Sequence, residues 1–202
     1  MRYTGPKAKK ARRLGMAFTA KDAKVLQKRN FAPGVHGQNR VRLSEYGTQL
    51  KEKQKAKVAY GVMERQFENY FNKALKQAGV TGNNLLRLLE LRLDNIVFRL
   101  GFAETRAQAR QLVNHGFFEV NGKKVDIASF SVKPGDVVAI REAKMKKGYI
   151  EKIREKLKGF KTLDWVQLTP EKFSGKVLSS PEVDSLGLEI NTQLIVEHYS
   201  RT

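Results

Sequence analysis

Between Met63 and Ala78 the apolar residues Phe67, Tyr70, Phe71, Ala74, Leu75 and Ala78 recur at steps of three and four. That spacing predicts an amphipathic helix with this stripe on a core and Gly79 as its stop. Upstream, Ser44 offers an N-cap hydroxyl for a helix running to about Tyr60. Its Lys51, Lys53, Lys55 and Lys57 fall on more than one face, so half of this helix is expected to be wet. Leu85, Leu86, Leu88, Leu89, Leu91 and Leu93 are apolar on nearly every side, which predicts a helix buried between two layers, at the joint between two domains. Asp94 to Leu100 continues helically to a left-handed stop at Gly101. Thr105 and Gln108 then have the spacing of a capping box that opens a helix closing at Gly116.

After Gly116 the period changes. Phe117 to Val120 and Lys123 to Val125 flank Asn121-Gly122, the dipeptide suited to two positive φ angles in a tight hairpin. Phe130 with Val132, and Val137 to Ile140, read as two more short strands around the turn Lys133-Pro134-Gly135-Asp136. Residues 144 to 158 form a charged helical connector, Trp165 to Leu168 and Phe173 to Val177 add short strands, and Ile190 to Tyr199 fits helix or strand equally. With 202 residues the chain can bury two cores. The expected class is α+β: a basic arm over 1–42, a helical domain over 43–91 completed by 178–202, and a domain of helices on a small antiparallel sheet over 92–177.

Charge sharpens this division. The chain carries a formal net charge of +19, which repels itself in a compact state unless a polyanion neutralises it. Residues 1–42 hold 12 Lys and Arg against Asp22 alone, a surplus of 11. The surplus is 3 over 43–91, 7 over 92–158, and −2 over 159–202. Residues 1–42 therefore read as an extended arm with one short helix, ordered mainly by its partner. Nucleic acid is the partner that charge favours, because a lipid-binding patch would bring an amphipathic helix with an aromatic anchor or a lipidation signal. The sequence has no run of eighteen apolar residues and no apolar leader after its first residues, so a soluble intracellular protein without membrane contact is expected. Cysteine is absent, and His36, His115 and His198 lie far apart, so no cofactor or metal is expected.

The richest surface is the helix from Thr105 to His115. Arg106, Arg110 and Asn114 recur every four residues on one face, with Ala109, Leu112 and Val113 on the other. A wet helix face is the plain reading. The hairpin, which brings Asn121, Lys123 and Lys124 beside the helix end, favours convergence on phosphate, with arginine also able to stack on an unpaired base. The stretch Arg92-Leu93-Asp94-Asn95-Ile96-Val97-Phe98-Arg99-Leu100-Gly101-Phe102, with Thr105-Arg106, Ala109-Arg110-Gln111-Leu112-Val113, His115-Gly116 and Val120-Asn121-Gly122, resembles the S-four RNA-binding domain. That module is also found in several RNA-modifying and ribosome-associated proteins. The flanks narrow the choice: Arg2-Tyr3-Thr4-Gly5-Pro6, Pro33-Gly34, His36-Gly37, Glu52-Lys53-Gln54-Lys55, Tyr60-Gly61 and Leu194-Ile195-Val196-Glu197 are similar to the small-subunit ribosomal protein S-four family.

This resemblance implies a structural protein that binds small-subunit ribosomal RNA early in assembly, meets ribosomal protein S-five, and contributes to translational accuracy with S-five and S-twelve. In some relatives it also implies repression of the protein's own messenger RNA. Charge and resemblance together select Arg2, Lys7, Lys9, Lys10, Arg12, Arg13, His36, Arg40, Arg42, Lys53, Lys55, Arg106, Arg110, Asn114, His115, Asn121, Lys123 and Lys124 as RNA contacts. They select Glu182, Asp184 and Glu189 as protein contacts. Many members of the family bind zinc through four cysteines, whereas this chain has Ala8 and Ala11 where the first pair would fall, as in a zinc-free branch. Arg92-Leu93-Asp94 resembles the arginine and aspartate signature of pseudouridine synthases, but no separate catalytic domain accompanies it. No nucleophile turn and no phosphate-cradling glycine loop is present, so no enzyme is expected. The alternative is a free-standing ribosome-associated RNA chaperone carrying the same module.

Overall fold

The computed structural model describes residues 3, 5–39, 42–145, 148–157, 159–183, 186–187 and 189–201. The chain divides into two compact units, 1–85 with 188–202, and 86–187.

The first unit is helical. Its opening residues are not the extended arm that their charge suggests: α1 (Lys7–Leu14) and α2 (Ala20–Lys28) pack on each other, and α1 also meets α3 (Glu45–Tyr60). Among many cations, a few apolar residues suffice for this, since Ala11, Leu14 and Met16 are all buried. Thr19 caps α2 by accepting the Asp22 amide at 3.2 Å. Ser44 caps α3 as expected, accepting the Gly47 amide at 3.1 Å. The predicted stripe of α4 (Glu64–Leu75) buries Phe67, Phe71 and Ala74, while Leu75 stays 60 % exposed. Of the two readings open for the last residues, helix wins in α10 (Thr192–Ser200), because the Asn191 side chain accepts the amides of Gln193 and Leu194 at 3.0 and 3.3 Å. α10 lies on α3: Glu52 accepts the Asn191 amide at 3.1 Å, and Gln49 donates to Glu197 at 3.1 Å.

The leucine run is two helices rather than one, α5 (Thr81–Glu90) and α6 (Leu93–Arg99). The backbone between them is drawn into a single β-bridge, Arg92 with Ser131. There the Val132 amide donates to Leu91 and the Leu93 amide to Phe130, each at 2.9 Å. The strand expected over Phe130 and Val132 is thus reduced to that bridge. The unit boundary falls within α5.

In the second unit, α6 and α7 (Arg106–Asn114) pack together. The other elements are β1 (Phe118–Val120), β2 (Lys123–Lys124), β3 (Val137–Ile140), α8 (Glu142–Met145), α9 (Tyr149–Leu157), β4 (Val166–Thr169) and β5 (Ser174–Val177). The strands form one antiparallel sheet in the order β2-β1-β3-β5-β4. Asn121 and Gly122 take φ of 50° and 76°, as a tight turn between β1 and β2 demands. Leu93, Ile96, Val97, Leu100 and Phe102 share one core with Phe118, Val138, Trp165 and Val177. Gly175 is required there, because a Cβ on it would overlap the Leu100 side chain. The Thr105 hydroxyl accepts the Gln108 amide at 3.2 Å to open α7, and Gly116, at φ 65°, ends it.

Candidate nucleic-acid interface

α7 exists because its apolar side, Ala109 and Val113, is fully buried while its opposite side carries Arg106, Arg110 and Asn114. The two arginines are not a loose wet face. Their side chains are 15 % and 19 % exposed and reach inward towards carboxylates at the end of α5 and the start of α6. Asp94 is 3 % exposed and forms a fork with Arg92, accepting Nε at 3.1 Å and Nη2 at 2.8 Å. Its Oδ2 also accepts Arg110 Nε at 2.8 Å and lies 2.6 Å from Arg110 Nη2. In parallel, Glu90, fully buried, accepts Arg99 Nε and Nη2 at 2.9 and 2.7 Å and the Asn95 amide nitrogen at 2.7 Å. With its nitrogen so committed, Asn95 turns its oxygen to Arg106 Nε at 2.7 Å. The Arg106 guanidinium lies 4.6 Å above the centre of the Phe98 ring. An aspartate doubly held by guanidinium groups is a structural anchor, and the synthase-like Arg92-Leu93-Asp94 serves that purpose.

At the other end of α7, Asn114 and His115 are exposed. Lys124 crosses above Gly116, with its Cε 3.0 Å from where a Cβ would stand. Arg141 donates from Nη1 to the Gly116 carbonyl at 3.2 Å, and Lys144 sits 5.3 Å from the centre of the Phe117 ring. Cations from β2, the end of β3 and α8 therefore gather at one corner. Lys124 also pairs with Asp126 at 3.2 Å, both half exposed, a contact weak in water. Lys123 is exposed. Asn121, although exposed, is occupied within the fold: it donates to Asp136 at 2.8 Å and accepts the Val137 amide at 2.9 Å. Arg141 and Lys144 escaped the sequence reading because nothing local ties Arg141 to a glycine 25 positions earlier.

In the first unit the cations divide in the same way. Lys7, Lys9 and Arg13 are exposed on α1, as is Arg42 before α3 and His36 in the loop after α2. Lys10 packs its ammonium 3.5 Å from the centre of the Tyr3 ring, and burial followed by the charge of Lys57 lowers its pKa. Arg12 is turned inward, donating to the carbonyls of Phe31 and Ala32 at 3.0 and 3.2 Å. Lys53 and Lys55, expected on RNA, are engaged in ion pairs: Lys53, 8 % exposed, with Glu64 at 2.9 Å, and Lys55 with Glu52 at 2.6 Å. Burial pushes the Glu64 carboxyl up, but Lys57 and Lys53 outweigh it and bring it down to about 2. Burial and then Glu64 push the Tyr199 hydroxyl up. Arg2, Arg40 and Asp184 lie outside the described residues, while Glu182 and Glu189 are exposed. Among the described residues no cluster of three metal-ligating side chains occurs, and no helix is long and apolar enough to cross a membrane.

Buried carboxylates that fix arginines, with lysines left outside, define a basic protein built to meet a polyanion. Residues 2–90 match the family model described as the ribosomal protein S4/S9 N-terminal domain, and residues 91–138 match the S4 domain. The chain is similar to the small ribosomal subunit proteins uS4 of Thermoanaerobacter sp. (51 % identical over 207 residues), Chloroflexus aurantiacus (49 % over 204) and Thermodesulfovibrio yellowstonii (48 % over 211). Each match covers 99 % of both chains. The chain belongs to the uS4 family of ribosomal proteins. It is a structural, non-enzymatic component of the small ribosomal subunit and binds ribosomal RNA there.

Proposed function

We propose that this chain binds small-subunit ribosomal RNA early, holds a folded junction together, and so nucleates assembly of the subunit body. The observation that carries this reading is the contrast on α7 and its hairpin, where arginines are fixed from beneath while Lys123, Lys124 and His115 remain exposed. Such a surface neutralises phosphates and fixes their spacing, a recognition by shape more than by base sequence. The exposed cations of α1 add a second, less rigid basic face. Exposed Glu182 and Glu189 gain nothing from phosphate, and they suit a contact with ribosomal protein S-five, through which the chain contributes to translational accuracy together with S-twelve. Binding to its own messenger RNA, which would present the same junction shape, follows from the same surface. The place of action is the cytoplasmic ribosome.

Co-sedimentation tests the assembly role. The chain is expected to remain on small subunits at one copy per particle through high-salt washing. Release at moderate salt, with retained activity on free RNA, would instead identify a ribosome-associated chaperone.

A further inference from the structure

Two carboxylates inside an RNA-binding surface are, on charge alone, a liability. Each opposes phosphate, and each is buried, so its desolvation must be offset by its partners. Asp94 and Glu90 nevertheless sit directly beneath α7, at 3 % and 0 % exposure. Their contacts are ordered in two parallel chains. One runs from Arg92 through Asp94 to Arg110; the other from Arg99 through Glu90 and Asn95 to Arg106. In both, an arginine outside α7 forks onto the carboxylate, and an arginine of α7 is held either by the carboxylate itself, as Arg110 is by Asp94, or through Asn95, as Arg106 is by Glu90. The two α7 arginines stand four residues apart, about 6 Å along the helix axis. An unsupported arginine would lose rotamer freedom on gripping a phosphate. Here the Nε of each is already committed inward, at 2.8 and 2.7 Å, while the side chains remain 15 % (Arg106) and 19 % (Arg110) exposed.

We propose that Asp94, and Glu90 acting through Asn95, are positioning residues for RNA binding: they fix Arg110 and Arg106 in advance as a pair of rigid phosphate contacts. The inference rests on α7 being part of the RNA interface. It predicts an effect of opposite sign to simple electrostatics, because removing a negative charge from the site weakens the complex.

The test uses the full chain titrated against naked small-subunit ribosomal RNA over a range of salt, with the fluorescence of buried Trp165, the chain's one tryptophan, reporting the fold of the second unit. Asp94→Asn adds a net positive charge and is expected to weaken binding on the order of tenfold. Arg110→Lys keeps the charge, loses the two-nitrogen edge, and is expected to weaken it similarly without changing the salt slope. The double variant is expected to bind no worse than the weaker single one, since both break the same link. Equal or tighter binding by Asp94→Asn, or fully additive losses, would overturn the proposal. Should Asp94→Asn lose the folded Trp165 signal, Asp94→Glu decides: charge is conserved and only the carboxylate's position moves, so weakened binding supports positioning and unchanged binding refutes it. Arg110→Gln separates the underlying reading. If it binds like the unaltered chain, α7 is not in the interface at all; if it alone weakens binding, α7 binds RNA but the carboxylates do not position it.

Discussion

On α1, Lys7, Lys9 and Arg13 reach into solvent from a helix with no acidic residue in its first turn, whereas on α7 Arg106 and Arg110 are bound from below by Asn95 and Asp94. The first helix offers charge without fixed geometry, which suits a contact whose strength comes from counterion release and varies steeply with salt. The second offers geometry as well as charge. The same residue types thus serve two ends, and the difference lies in buried carboxylates contributed by the neighbouring helices α5 and α6 rather than in the basic helix itself.

Stability separates the two regions most sharply. Asp94→Ala leaves Arg92, 2 % exposed, without its buried counter-charge. It should destabilise the second unit by about 3 to 5 kcal/mol, measured as a shift of the denaturant midpoint of Trp165 fluorescence. No change in a single exposed α1 lysine should approach that, since surface charges contribute about 0 to 1 kcal/mol. A shift below about 1 kcal/mol for Asp94→Ala would show that water reaches the site and that the arginines are not rigidly held.

The first unit has an ionic cluster of a different kind, partly open to solvent, and acid distinguishes it. Glu64 is held near 2 by Lys57 and Lys53, below its ordinary value of 4.5. Its folded pKa is depressed, so its stabilisation is complete above about pH 4.5 and lost as pH falls towards 2. The unaltered chain should therefore melt at a higher temperature than Glu64→Gln at pH 6, and the gap should close between pH 4.5 and 2. A gap that persists at pH 2 would mean that the ion pairs with Lys53 and Lys57 do not supply it.

These contrasts also mark what sequence could reveal. The caps at Ser44 and Thr105, the glycine stops at 101 and 116 and the Asn121-Gly122 turn are local, so their chemistry is written within a few residues. The α7 stripe was likewise legible as a basic face. Its inward tethering was not, because Arg110 meets Asp94 across 16 positions and Arg106 meets Asn95 across 11. Residues 1–42 misled for a related reason: charge density implies an arm, but three buried side chains, Ala11, Leu14 and Met16, suffice to seat α1. Lys53 looked like Lys51 in sequence, and only the fold turns it inward to Glu64 and to within 5.2 Å of the centre of the Tyr199 ring.

The most direct measurement of whether this chain meets RNA through an exposed basic helix is the salt dependence of its affinity for small-subunit ribosomal RNA, compared between the unaltered chain, the triple change of Lys7, Lys9 and Arg13 to Gln, and Lys53→Met. Each lost phosphate contact lowers the slope of log affinity against log salt by about 0.7 to 0.9. The triple variant should therefore lose about 2 to 3 in slope, and Lys53→Met, already engaged within the fold, should lose none. An unchanged slope in the folded triple variant, or a full step lost in Lys53→Met, would contradict it.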